Sequence, residues 1–151
     1  MRRANKNTDI MTKYNLTEKK EKKAVYRDMV RAELMDELYD KIVHAFVVQK
    51  KYRDSSYTAK KLADEIGTNT RYISAVVAVR FGMNYSTLIN DYRIREALFL
   101  LTDKRYMDKT VEEIALMVGF ANRQSFYAAF YRFKGITPRQ FRLEYWEKHR
   151  K

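Results

Sequence analysis

Cysteine is absent from the 151 residues, so disulfides, thiol catalysis and thiolate-bound zinc are all excluded. One proline and four glycines leave too little turn-forming material for a fold of many short strands. No stretch approaches the ~20 apolar residues that cross a bilayer. The basic segment Met1–Lys13 lacks the apolar centre of a secretory signal, so a cytoplasmic protein is expected. Acidic residues are also short, 19 against 31 basic, for a formal net charge of +12. That excess points to a polyanionic partner. It does not choose among DNA, RNA, an anionic membrane surface and an acidic protein.

Chemistry-bearing sets are missing as well. His44 and His149 stand far apart with no second ligand at metal spacing. Glu112 and Glu113 are neighbours whose side chains diverge on a helix, which suits a cap and a solvated face better than an acid pair. There is no glycine loop to cradle phosphate and no Ser/His/Asp set. The expectation is no enzyme, no catalytic residue, no cofactor and no metal.

What is present favours helices. Apolar residues make up 46% of the chain, including twelve Tyr, eight Phe and one Trp. Residues 1–17 are polar without periodicity and read as a flexible basic tail. Residues 18–37 read as a helical extension, with Val25, Met29, Val30 and Leu34 continuing into Leu38, Ile42 and Ala45 at three- and four-residue spacings. The end of that helix (Ile42, Val43, Ala45, Phe46, Val47, Val48) is apolar on most sides and is expected to be buried, up to the break at Asp54-Ser55-Ser56. Its acidic residues Asp28, Glu33, Asp36, Glu37 and Asp40 argue against a membrane-surface helix.

The remainder contains an internal repeat. Thr58-Ala-Lys-Lys-Leu62-Ala63-Asp-Glu-Ile66-Gly67 matches Thr110-Val-Glu-Glu-Ile114-Ala115-Leu-Met-Val118-Gly119. With one extra residue in the second copy, Ile73, Val77 and Gly82 then match Phe126, Phe130 and Gly135. All four glycines are used by the two copies. Thr58 and Thr110 suit N-caps, Glu113 completes a capping box, and Gly67 and Gly119 end a short helix where a left-handed residue is needed. Asn69 and Asn122 would cap a second helix. Each copy therefore spells helix, turn, helix, over about 58–82 and about 110–135. Between them a linker helix is expected over about 85–101, with Leu88, Ile89, Tyr92, Ala97, Leu100 and Leu101 on its apolar side. Its length of ~26 Å would let the two second helices stand about one turn of B-DNA apart, ~34 Å. At the C-terminus, residues 143–151 read as a helix end and basic tail. Phe141, Tyr145 and Trp146 pack there on the second unit rather than offer a platform for single-stranded nucleic acid.

These residues resemble the DNA-binding domain of the AraC/XylS family of bacterial transcription regulators. The resemblance covers residues 38–142. It is carried by Ile114-Ala115-x-x-Val118-Gly119-Phe120, Ser125-Phe126-x-x-x-Phe130 and Gly135-Ile136-Thr137-Pro138-x-x-Phe141-Arg142, with Arg93-Ile94-x-x-Ala97-x-x-Leu100-Leu101 as its linker helix. It implies an all-α, homeodomain-like architecture of seven helices, two helix-turn-helix units in tandem, and sequence-specific regulation on double-stranded DNA. Recognition helices at 70–81 and 123–134 would enter adjacent major grooves.

Carried over by position, base-facing residues would be Arg71, Ser74 and Ala75 in the first unit and Arg123, Gln124, Tyr127 and Ala128 in the second. Arginine suits guanine O6 and N7, and Gln124 suits adenine. Ala75, Ala78 and Ala128 depart from the polar residues of many relatives and offer only apolar contact. Phosphate contacts would fall to Asn69, Thr70, Asn122, Arg132, Lys134 and Arg139. Further expectations are contact with RNA polymerase, a weak homodimer through the N-terminal helix, and association with the nucleoid. With about 35 residues ahead of the domain, too few for a sensor domain, the chain is expected to be either a minimal member, which the initial Met1 mildly favours, or a piece of a longer regulator. The other reading kept is a protein-interaction module of the same fold that binds an acidic protein.

Overall fold

A computed structural model describes residues 6–150; the elements among them are all helices and helical turns, with no strand. Helix α1 runs Lys6–Val43, α2 Ala59–Ile66, α3 Thr70–Val76, α4 Tyr85–Leu101, α5 Val111–Met117, α6 Arg123–Lys134 and α7 Pro138–Lys148. Residues 1–5 of the expected tail lie outside the described residues, but 6–17 are helix, against expectation. Apolar periodicity was the wrong signal there. The helix continues into the run Glu18–Lys23, whose Glu and Lys are strong helix formers, and Glu18 pairs with Lys22 one turn on at 3.4 Å.

The chain divides into two units at the Glu37/Leu38 boundary. From Lys6 to Glu37 the described residues form a single helix without a core, and Leu16, Val25, Tyr26 and Met29 are exposed. From Leu38 it becomes a packed domain. Leu38, Ile42, Ala45 and Phe46 are buried. The helix then passes into a π-turn over His44–Val48 and stops at Lys50, whose φ is +50°. The wider turn sends Ala45 and Phe46 inward and leaves Val47 and Val48 exposed, which corrects the expectation that this whole segment is buried. A 3₁₀ turn follows at Lys51–Arg53, and Asp54 accepts from the Ser56 backbone N–H and hydroxyl to close the bend.

Two cores share helix α4. On the N-terminal side Leu88 and Ile89 are buried, as are Leu62, Ala63, Ile73, Val76 and Val77 of the first unit, and Phe46 meets the rings of Tyr57, Tyr85 and Tyr92. On the C-terminal side Ile94, Ala97, Leu100 and Leu101 join Ile114, Ala115, Val118, Phe120, Phe126 and Phe130. Helix α7 closes the second core. Phe141 packs edge-on against Phe130 at 5.7 Å, and Trp146 Nε1 donates to the Leu101 carbonyl at 3.1 Å. These C-terminal aromatics are packing residues.

Candidate nucleic-acid interface

The second unit is assembled by local rules at every junction. Thr110 Oγ1 accepts from the Glu113 N–H at 3.0 Å, and the Glu113 carboxylate accepts from the Thr110 N–H at 3.1 Å. This reciprocal box satisfies two of the donors that a helix start leaves unpaired. Asn122 then caps α6 through Ser125 N–H at 2.8 Å. Phe126, Ala129 and Phe130 turn into the core, so Arg123, Gln124, Ser125, Ala128, Tyr131 and Arg132 form the outward face.

Arg123 is held ready on that face. Its guanidinium lies 4.3 Å from the Tyr127 ring centroid, and its Nε donates to Glu112 at 3.2 Å. A planar donor fork fixed against an aromatic face loses little freedom when it meets a second acceptor pair. Tyr127 is placed differently from the other expected base contacts. It is half-buried on the second core, edge-on to Phe126, and its hydroxyl is buried without a hydrogen-bond partner. Its geometry makes it a platform for Arg123. The expected phosphate residues Arg132, Lys134 and Arg139 are exposed, with the Lys134 ammonium 5.4 Å from the Phe141 ring centroid.

The first unit repeats the plan. Thr58 caps α2, Gly67 closes it with φ +77°, and Asn69 caps α3 through the Tyr72 N–H at 3.0 Å. Thr70, Arg71 and Ser74 are exposed and Ala75 is half-buried. After Val76 the helix widens into a π-turn, Val77–Phe81. The extra residue lets Val76 and Val77 both point inward and leaves Ala78, Val79 and Arg80 outside. Four exposed apolar or aromatic residues over 70–81 and 123–134 were not expected at the site from the sequence: Tyr72, Val79, Tyr131 and Phe133. The signal for Tyr131 was present, since it follows Gln124 and Ala128 at helical spacing. Val79 had none, because the π-turn breaks the period.

A further group, within the domain after Leu38, ties the first helix-turn-helix to the second. Arg93, in the middle of α4, is 8% exposed. It donates to the carbonyls of Tyr52 (2.7 Å) and Asp54 (3.0 Å) and to Asn90 Oδ1 (3.2 Å), and lies 5.7 Å from the Phe120 ring centroid. Burial pushes its pKa down, and the nearby Tyr85 and Asp54 charges offset that only in part. Gly119 approaches the same carbonyl from the second unit. A Cβ there would stand 2.2 Å from Tyr52 O, and its φ is +110°. One turn later on α4, Glu96 takes both Arg53 nitrogens, with Nε at 2.8 Å, and Lys50 lies 3.7 Å away. Segment 50–54 is thus clamped between α4 and the turn of the second helix-turn-helix.

Comparison with known proteins agrees with this geometry. A family model described as a helix-turn-helix domain matches residues 62–144. The chain is similar to the uncharacterized HTH-type transcriptional regulator YtdP of Bacillus subtilis, 27% identical over 105 residues, covering 70% of this chain and 13% of that protein. It is similar to the melibiose operon regulatory protein of Escherichia coli K12, 28% identical over 59% of this chain and 28% of that protein. The chain thus spans only a small part of the length of these relatives. Among solved structures, the C-terminal domain of AraT, a response regulator from Geobacillus stearothermophilus, superposes with a TM-score of 0.57 at 25% identity, covering 65% of this chain and 78% of that one. An AraC-type transcriptional regulator from Chromobacterium violaceum, 20% identical, shares the fold with a TM-score of 0.59 over 76% of this chain and 96% of that one.

Proposed function

Because the chain belongs to the family of AraC-type helix-turn-helix domains, we propose that it binds double-stranded DNA sequence-specifically and regulates transcription, inserting α3 and α6 into adjacent major grooves. The observation that carries this reading is Arg123. An unburied guanidinium stacked on Tyr127 at the start of α6 presents a bidentate donor where a guanine edge would sit. Gln124, Ala128 and Tyr131 continue the reading face of α6, and Arg71, Ser74, Ala75 and Val79 form that of the first unit. The alanines and Val79 offer contact to thymine methyls. Asn69, Thr70, Asn122, Arg132, Lys134 and Arg139 grip phosphates, which position the domain and carry no sequence information.

The clamp around Tyr52 supports a fixed distance between the two reading heads. Selection from random duplexes tests the reading. The expected product is two short motifs whose centres lie about 10–11 base pairs apart. Enrichment of no motif, with binding set by salt alone, would favour the interaction-module reading with an acidic protein as partner.

A further inference from the structure

The unit before Leu38 presents one helix face that is complementary to itself. Val25, Tyr26, Met29 and Val30 are 59%, 70%, 58% and 44% exposed. At ~100° per residue these four fall within ~140° of the helix circumference. The same face carries Glu18, Lys19 and Lys22 on its N-terminal side and Glu33, Asp36 and Glu37 on its C-terminal side, all exposed. An apolar patch with net basic charge at one end and acidic charge at the other matches a copy of itself only when that copy is turned end for end.

We propose that α1 pairs with α1 of a second copy in antiparallel register, centred between Arg27 and Asp28. In this register Val25 lies opposite Val30, Tyr26 opposite Met29, Lys22 opposite Glu33 and Lys19 opposite Asp36. Two-fold symmetry makes each contact twice. The one like-charged pairing is Glu18 with Glu37, and Glu18 is already in contact with Lys22 at 3.4 Å within its own helix. A parallel pair would instead set like charges against each other along the whole face. Four apolar side chains per copy make a small interface, so the dimer is weak and concentration-dependent. The rim charges set its direction more than its strength.

Sedimentation of the full chain from about 10 to about 300 μM is expected to show a monomer–dimer equilibrium, matching the weak affinity of a small interface. Met29→Glu should abolish it. Lys22→Glu and Glu33→Lys should each weaken it severalfold, and the double variant should restore it. Circular dichroism checks that each variant keeps its helix. Cysteine is absent from the chain, so single introduced thiols report direction. In the proposed register the two Glu18→Cys positions lie ~28 Å apart and do not cross-link, whereas a mixture of Glu18→Cys and Glu37→Cys chains does. A monomer at every concentration would overturn the proposal, and so would failure of the double variant to recover or a Glu18→Cys homodimer disulfide. The last would mean a parallel pair. A helix that stayed monomeric yet bound anionic vesicles would assign the face to a membrane surface instead.

Discussion

At the scale of the residue, the proposed function assigns reading to Arg123 and gripping to Lys134 in the second unit. Arg123 has a fixed planar fork, whereas Lys134 is a point charge on a flexible stem. Arg123→Ala should cost ~1–3 kcal/mol on the best site and relax preference at one position, while Lys134→Ala should weaken all duplexes about equally and lower the salt slope by about one. Titrations against specific and random duplexes distinguish the two. Gly119 makes a stability prediction of the same kind. Gly119→Ala meets a backbone carbonyl at 2.2 Å with φ at +110°, so it should destabilise by about 2–5 kcal/mol. Gly67→Ala, with nothing within 4 Å, should cost only about 1–2 kcal/mol. Urea denaturation of the two variants measures the difference directly.

At the scale of the element, packing sets how rigidly the reading helices are held. Phe130 is fully buried between Phe126 and Phe141, and Phe130→Ala should cost ~3–5 kcal/mol. A variant that bound DNA poorly yet melted like the parent would make Phe130 a contact residue. The junctions of these elements were legible because caps are local. Thr58, Asn69, Thr110, Glu113 and Asn122 act within three residues of their own positions, and every one is a cap in the structure. Linker helix α4 ends where its apolar period ends. The π-turns were not legible, since each inserts a residue into the period and so exchanges inside for outside at Val47, Val48 and Val79. Nor was the role of Arg93, because its partners at Tyr52 and Asp54 are carbonyls some forty residues away. Tyr127 was placed on the right helix, but its half-burial depends on the second core, which sequence spacing does not resolve.

At the scale of the whole domain, segment 50–54 is clamped against both α4 and the second helix-turn-helix, and its ion pair should make it sensitive to acid. Burial works to raise the Glu96 pKa, but the paired Arg53 guanidinium wins and holds it below the ordinary glutamate value. A carboxylate with a depressed folded pKa adds stability above its unfolded pKa, and that stability is lost as pH falls through the folded value. Between about pH 7 and about pH 3 the parent should therefore lose more stability than Glu96→Gln in urea melts. Arg93→Met should leave the Tyr52 carbonyl without its donor and the Asp54 carbonyl with only the Tyr57 N–H, cost about 2–4 kcal/mol, and relax the spacing tolerated between the two DNA motifs. Arg93→Lys should not restore the spacing, because a single ammonium cannot span both carbonyls.

The net charge of +12 ensures some attraction to any polyanion, so affinity alone says little about function. The direct measurement is the ratio of affinities for a selected duplex and its scrambled counterpart at about 150 mM salt. Two reading helices held at fixed spacing predict a ratio of at least about a thousand, with most of it lost in Arg123→Ala. A ratio near one, with binding to both duplexes collapsing together as salt rises, would contradict sequence-specific recognition.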